Sequence, residues 1–149
     1  MVGYALRANP PYAFAAGTSG TEDPEMKTKF NAGTASVPEL VERFIAIALA
    51  QQDAVDSYQT TRYNRLYDRM KEIESELKSR EGDQRIALLP LLESRHLHVR
   101  LKAAIALLAI SPARARHTLQ GVRDYALMPQ SVDATMMLAA IDDGSYVPD

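Results

Sequence analysis

The sequence predicts an all-α fold, and three observations predict it. Apolar residues recur at i, i+3 and i+4 from Leu40 to Ile141, the spacing that lines one side of a helix. Cap residues, prolines and glycines punctuate that pattern at Ser36, Gly82-Asp83, Ser111-Pro112, Pro129 and Gly144. No stretch of useful length alternates apolar with polar residues, as a half-buried strand would. The expected architecture is therefore a compact antiparallel stack of about six helices joined by short connections, behind a flexible N-terminal extension.

The extension is assigned to residues 1–35, which hold three of the eight prolines and four of the seven glycines and show no sustained period. Within it Tyr4, Tyr12 and Phe14 are candidates for docking on a partner or on the body of the protein, and Met26 is a candidate second translation start. Gly17-Thr18-Ser19-Gly20 lacks the strand, the helix and the lysine that phosphate cradling requires, and reads as linker.

The helical domain, residues 36–149, opens with Ser36-Val37-Pro38-Glu39, a capping box with proline in the first turn. The first helix runs to about Ala54, with Leu40, Val41, Phe44, Ile45, Ala48 and Leu49 facing inward and Glu39, Glu42, Arg43 and Gln51 facing water. The second, about 59–78, carries Tyr63, Leu66, Tyr67, Met70, Ile73 and Leu77 on one face and a solvated charged face opposite. Gly82 breaks it and Asp83 caps a third, about 84–93, which Pro90 should bend or end. A fourth follows over about 97–110, a fifth begins at Pro112, and a last one runs from about 131 to 142 with Gly144 beyond its end.

Leu88 to Leu108 is the most informative stretch. Leu91-Leu92 ends one helix, a polar corner follows, and Val99-Arg100 opens a second helix in which Ala103, Ala104 and Ala106 let backbones approach closely. That arrangement resembles one HEAT-type repeat. Ser94 stands where such a repeat usually has an aspartate to meet the arginine of a neighbouring repeat, and with one clear repeat a long solenoid is excluded.

A wider resemblance rests on Leu40-Val41-Glu42-Arg43-Phe44, Asn64-Arg65-Leu66-Tyr67-Asp68, Glu76-Leu77-Lys78-Ser79-Arg80, Gly82-Asp83-Gln84-Arg85, Leu88-Leu89-Pro90-Leu91, Val99-Arg100-Leu101-Lys102-Ala103-Ala104 and the ending Asp143-Gly144-Ser145-Tyr146-Val147-Pro148. From about Val37 to Pro148 the chain resembles the small bacterial domain-of-unknown-function family numbered twenty-nineteen. The resemblance implies a HEAT-like helical fold and brings no established catalytic residue.

Composition bounds the function classes. With 46% hydrophobic and 24% charged residues and a net charge of −2, the chain gives no global reason to expect nucleic acid or membrane. It has no cysteine, so disulfides, thiolate zinc sites and cysteine nucleophiles are excluded. Pro10-Pro11 cuts the only N-terminal apolar patch short of a signal peptide, so placement in the cytoplasm is expected. No cofactor is expected. His96, His98 and His117 make a conceivable metal trio, but i, i+2 spacing sends the first two rings apart, and solvation of a helix corner suits them better. The acid pairs Asp142-Asp143 and Glu72 with Glu76 read as exposed charge.

The local signal is charge segregation. Between Leu91 and Tyr125 stand Arg95, Arg100, Lys102, Arg114, Arg116 and Arg123, against only Glu93 and Asp124. Such a ridge suits an acidic protein surface, nucleic-acid phosphates, or arginines bridging helices. The expected function is a non-enzymatic protein–protein interaction, of the kind by which a small domain neutralises a toxin or effector. The alternative is a nucleic-acid-binding helical module, for which the scarcity of interleaved aromatics is unfavourable.

Overall fold

A computed structural model describes residues 30–149. The described chain is helical with no strand: five α-helices and one 3-10 helix follow one another, and they fall into two compact units, 30–87 and 88–149.

In the unit 30–87, helix α1 spans Val37–Asp56 and α2 spans Thr60–Ser79, and they pack on each other. The capping box forms as expected: the Glu39 amide donates to Ser36 Oγ at 3.3 Å, and the Ser36 amide donates to Glu39 Oε2 at 2.6 Å. These bonds hold the Glu39 carboxyl below its ordinary pKa, the backbone donor contributing most. The inward face of α1 is rotated from the expected one. Leu40, Phe44, Ile47, Ala48, Gln51 and Ala54 are buried, whereas Leu49 is exposed and Val41 and Ile45 are half-buried. Apolar residues occupy more than half of this helix's circumference, so the centre of the stripe is set by where α2 lies. Gln51, expected in water, is fully buried. On α2 the pattern is narrower and decides the face: Tyr63, Leu66, Met70, Ile73 and Leu77 are all buried.

Residues 30–35, grouped with the extension by composition, are held against the helices. From Phe30 the chain is tied down: Arg80 donates from Nη2 to the carbonyls of Ala32 (3.1 Å) and Ala35 (2.8 Å), and Arg43 lies 4.6 Å from the centre of the Phe30 ring. Tyr4, Tyr12, Phe14, Met26 and the Gly17–Gly20 stretch lie outside the described residues.

The 3-10 helix Gln84–Glu93 crosses the boundary between the units. Pro90, expected to bend or end this helix, lies inside it, and the whole segment takes the tighter 3-10 form. In the unit 88–149, α3 (Leu97–Leu107) packs on both α4 (Pro112–Tyr125) and α5 (Gln130–Asp142). Between two neighbours a helix has little surface left for water. Val99, Leu101, Ala103, Ala104, Ala106 and Leu107 are accordingly buried, the alanines giving the close approach the sequence implies. Ala115, Leu119 and Val122 complete the seam from α4, and Ala134, Met137 and Leu138 from α5. Gly144 closes the last helix at φ 78°, a left-handed conformation that glycine adopts without strain.

Candidate interaction surface

Each residue of the expected basic ridge has a distinct environment, and together they do not form one ridge. Arg100, half-buried, donates from Nη1 to the Ser94 carbonyl at 2.8 Å. Arg100 thus clasps α3 to the corner that precedes it. Lys102 corrects the sequence reading outright: it is 5% exposed, on the side of α3 that packs inward, and has no place on a surface. Polar residues at every turn of an alanine-rich helix look solvent-facing until two neighbouring helices are laid against it.

On α4, Arg114 and Arg116 are two residues apart and leave the helix in different directions, whereas Arg116 and Arg123, seven apart, share a side. Arg116 pairs with Asp142 of α5, and Arg123 pairs with Asp124 at 2.7 Å while also feeling Asp142. The Asp124 bond holds the Arg123 guanidinium above its ordinary pKa. These pairs neutralise much of the charge that seemed unopposed. Arg95 and Arg114 are exposed and have no ion-pair partner among the described residues.

The histidines separate as well. His96 and His117 are exposed, while His98, expected at a solvated corner, is buried between α3 and α5. Among the described residues no three His, Cys, Asp or Glu side chains converge in a way that holds a metal ion. The acid pairs are engaged too: Glu72 meets Arg69 at 2.9 Å, and Glu76 meets Arg80 at 2.6 Å.

A different surface stands out. Tyr125, at the end of α4, is 90% exposed, and the connection that follows carries Leu127 at 84% and Met128 at 76%. Val132 and Met136, one turn apart on the outer side of α5, are exposed as well. Five large apolar side chains within so short a stretch are uncommon on a surface that faces only water. Leu127-Met128 escape notice in the sequence; the signal lies in apolar residues beside Pro129, in a connection where polar ones are usual.

The profile of the family described as "Domain of unknown function (DUF2019)" matches residues 38–142. The chain belongs to this family. It is also similar to a solved bacterial structure, the crystal structure of the protein RPA1889 from Rhodopseudomonas palustris CGA009. The identity is 40% and the TM-score 0.77, over 81% of this chain and 100% of that one. No curated protein matches. No helix among the described residues is long and apolar enough to cross a membrane.

Proposed function

We propose that this DUF2019 chain is a non-enzymatic protein-binding module whose unit 88–149, HEAT-like in its stacking, engages a protein partner through the α4–α5 connection. The observation that carries this is the exposure of Tyr125, Leu127 and Met128 within four positions; Arg114 is accessible in the first turn of the helix that ends there, about 16 Å of helix away. Large aromatic and methionine side chains are the usual anchors of protein interfaces, and nearby charge steers the encounter. A fitting partner presents an apolar groove with an acidic rim, and occluding such a groove is how a neutralising protein of the immunity type works. The role belongs in the cytoplasm, the compartment expected for a chain of this composition. The pairing of Arg116 and Arg123 with aspartates weighs against phosphate binding, which needs cations available to replace counterions.

The test is an affinity capture from cells of the source organism with the wild type and with a Leu127→Asp/Met128→Asp variant. One identified partner retained by the wild type and lost from the variant, at an unchanged unfolding midpoint, supports the reading. The reading fails if the variant keeps every partner, or if generic DNA is retained at about 50 mM salt and released steeply towards about 200 mM.

A further inference from the structure

Within the unit 88–149 four polar side chains are buried where α3 meets α5. His98 and Lys102 stand one turn apart on α3; Gln130 and Asp133 stand on the first turn of α5. Gln130 Nε2 lies 3.4 Å from His98 Nδ1 and links the two helices. Asp133 is 1% exposed, and its Oδ2 has no hydrogen-bond partner among the described residues. A buried carboxylate with an unmatched oxygen is costly, and taking up a proton removes the charge that makes it so.

We propose that His98, Lys102, Gln130 and Asp133 form a proton-controlled latch, which holds the first turn of α5 on α3 while Asp133 is a neutral acid and loosens that turn when Asp133 ionises. The groups around Asp133 set its direction. From α3, the Lys102 ammonium attracts the carboxylate, and His98 is neutral. From α4, which also packs on α5, Arg114, His117, Arg123 and Asp124 are exposed, and Arg116 is engaged by Asp142 at the other end of α5. Burial outweighs the pull of Lys102 and pushes the Asp133 carboxyl up to about 7. Burial first, and Lys102 second, hold His98 well below its ordinary 6.5.

The two titrations therefore act in opposite senses. The raised Asp133 contributes stability that is fully present below its ordinary 3.8 and is lost as pH rises through about 7. The depressed His98 contributes stability present above 6.5 and lost as pH falls below it. On the alkaline side of 6.5 Asp133 acts without opposition from His98. The turn it controls directly follows the exposed connection: the Ser131 amide donates to Leu127 O at 3.2 Å, and the Asp133 amide to Pro129 O at 3.1 Å. The latch stands whether or not that connection binds a partner.

The experiment is a carbon-13 carboxyl NMR titration of Asp133 in the full chain, with hydrogen-exchange protection followed at the amides of Ser131 and Asp133. The carboxyl midpoint is expected near 7, and protection, corrected for intrinsic rates, is expected to fall about threefold between pH 5 and pH 8, because His98 offsets most of the Asp133 loss below 6.5. Asp133→Asn, uncharged and of the same shape, should abolish the fall. A carboxyl midpoint near 3.8, constant protection in the wild type, or an equal fall in the variant would each overturn the latch. Should the variant not fold, the wild-type titration and exchange decide alone.

Discussion

At the scale of single residues, burial decides which positions matter. Leu107 is fully buried in α3, the helix that packs on two others, so Leu107→Ala removes methyl groups at a site with little room to collapse. A loss of about 2 to 5 kcal/mol in urea unfolding is expected. The histidines divide in the same way. His96→Ala should stay within about 0.5 kcal/mol of the wild type, because the side chain is exposed and makes no capping bond. His98→Ala leaves buried Gln130 without its 3.4 Å neighbour and opens a void, and should cost about 1 to 3 kcal/mol. Its pH signature follows from the depressed pKa. The difference in stability between wild type and the His98 variant should be largest above pH 6.5 and shrink as pH falls, because the folded wild type resists a proton that the unfolded chain accepts. Thermal midpoints of both proteins between about pH 5 and pH 8 check this.

At the scale of elements, the ends of α1 and α2 carry most of the local specification. The capping box satisfies two amides that a helix leaves without intrahelical acceptors, so Ser36→Ala should cost about 1 kcal/mol, read as a lower urea midpoint at an unchanged slope. Arg80 acts across elements. It follows the end of α2, is braced by Glu76, and donates to two carbonyls of the turn that precedes α1. Arg80→Met keeps the aliphatic stem and removes the donors, so amide exchange should rise in residues 30–35 while the interior of α2 holds its protection. A uniform rise throughout α1 and α2 would contradict this local role.

At the scale of the whole molecule, residues 30–35 are tied to the helices although composition groups them with the extension. Removing residues 1–29 should leave the unfolding midpoint within about 5 °C, since they show no helical period, whereas removal through residue 35 also strips buried Ala35 and both acceptors of Arg80. Comparing the midpoints of the two truncations separates these outcomes; equal midpoints would mean the turn contributes nothing.

The sequence by itself determined the helical class, the family and nearly every helix boundary, because periodicity, caps, prolines and glycines act within a few residues of one another. Ser36, Pro38, Gly82, Pro112 and Gly144 could be placed without knowing any long-range contact. What only the tertiary structure decided was which side of each helix faces inward where apolar or small residues surround it. Gln51 and Lys102 passed for solvated residues because a side chain's burial depends on the helix laid against it, which no local pattern encodes. The same cause hid the candidate surface. Arg116, Arg123, Asp124 and Asp142 look like segregated charge along the chain and become pairs once α4 and α5 meet. Leu127 and Met128 attract no notice along the chain and stand exposed once the helices close without them, and His98 and Asp133, thirty-five positions apart, become one cluster only when α5 returns to α3.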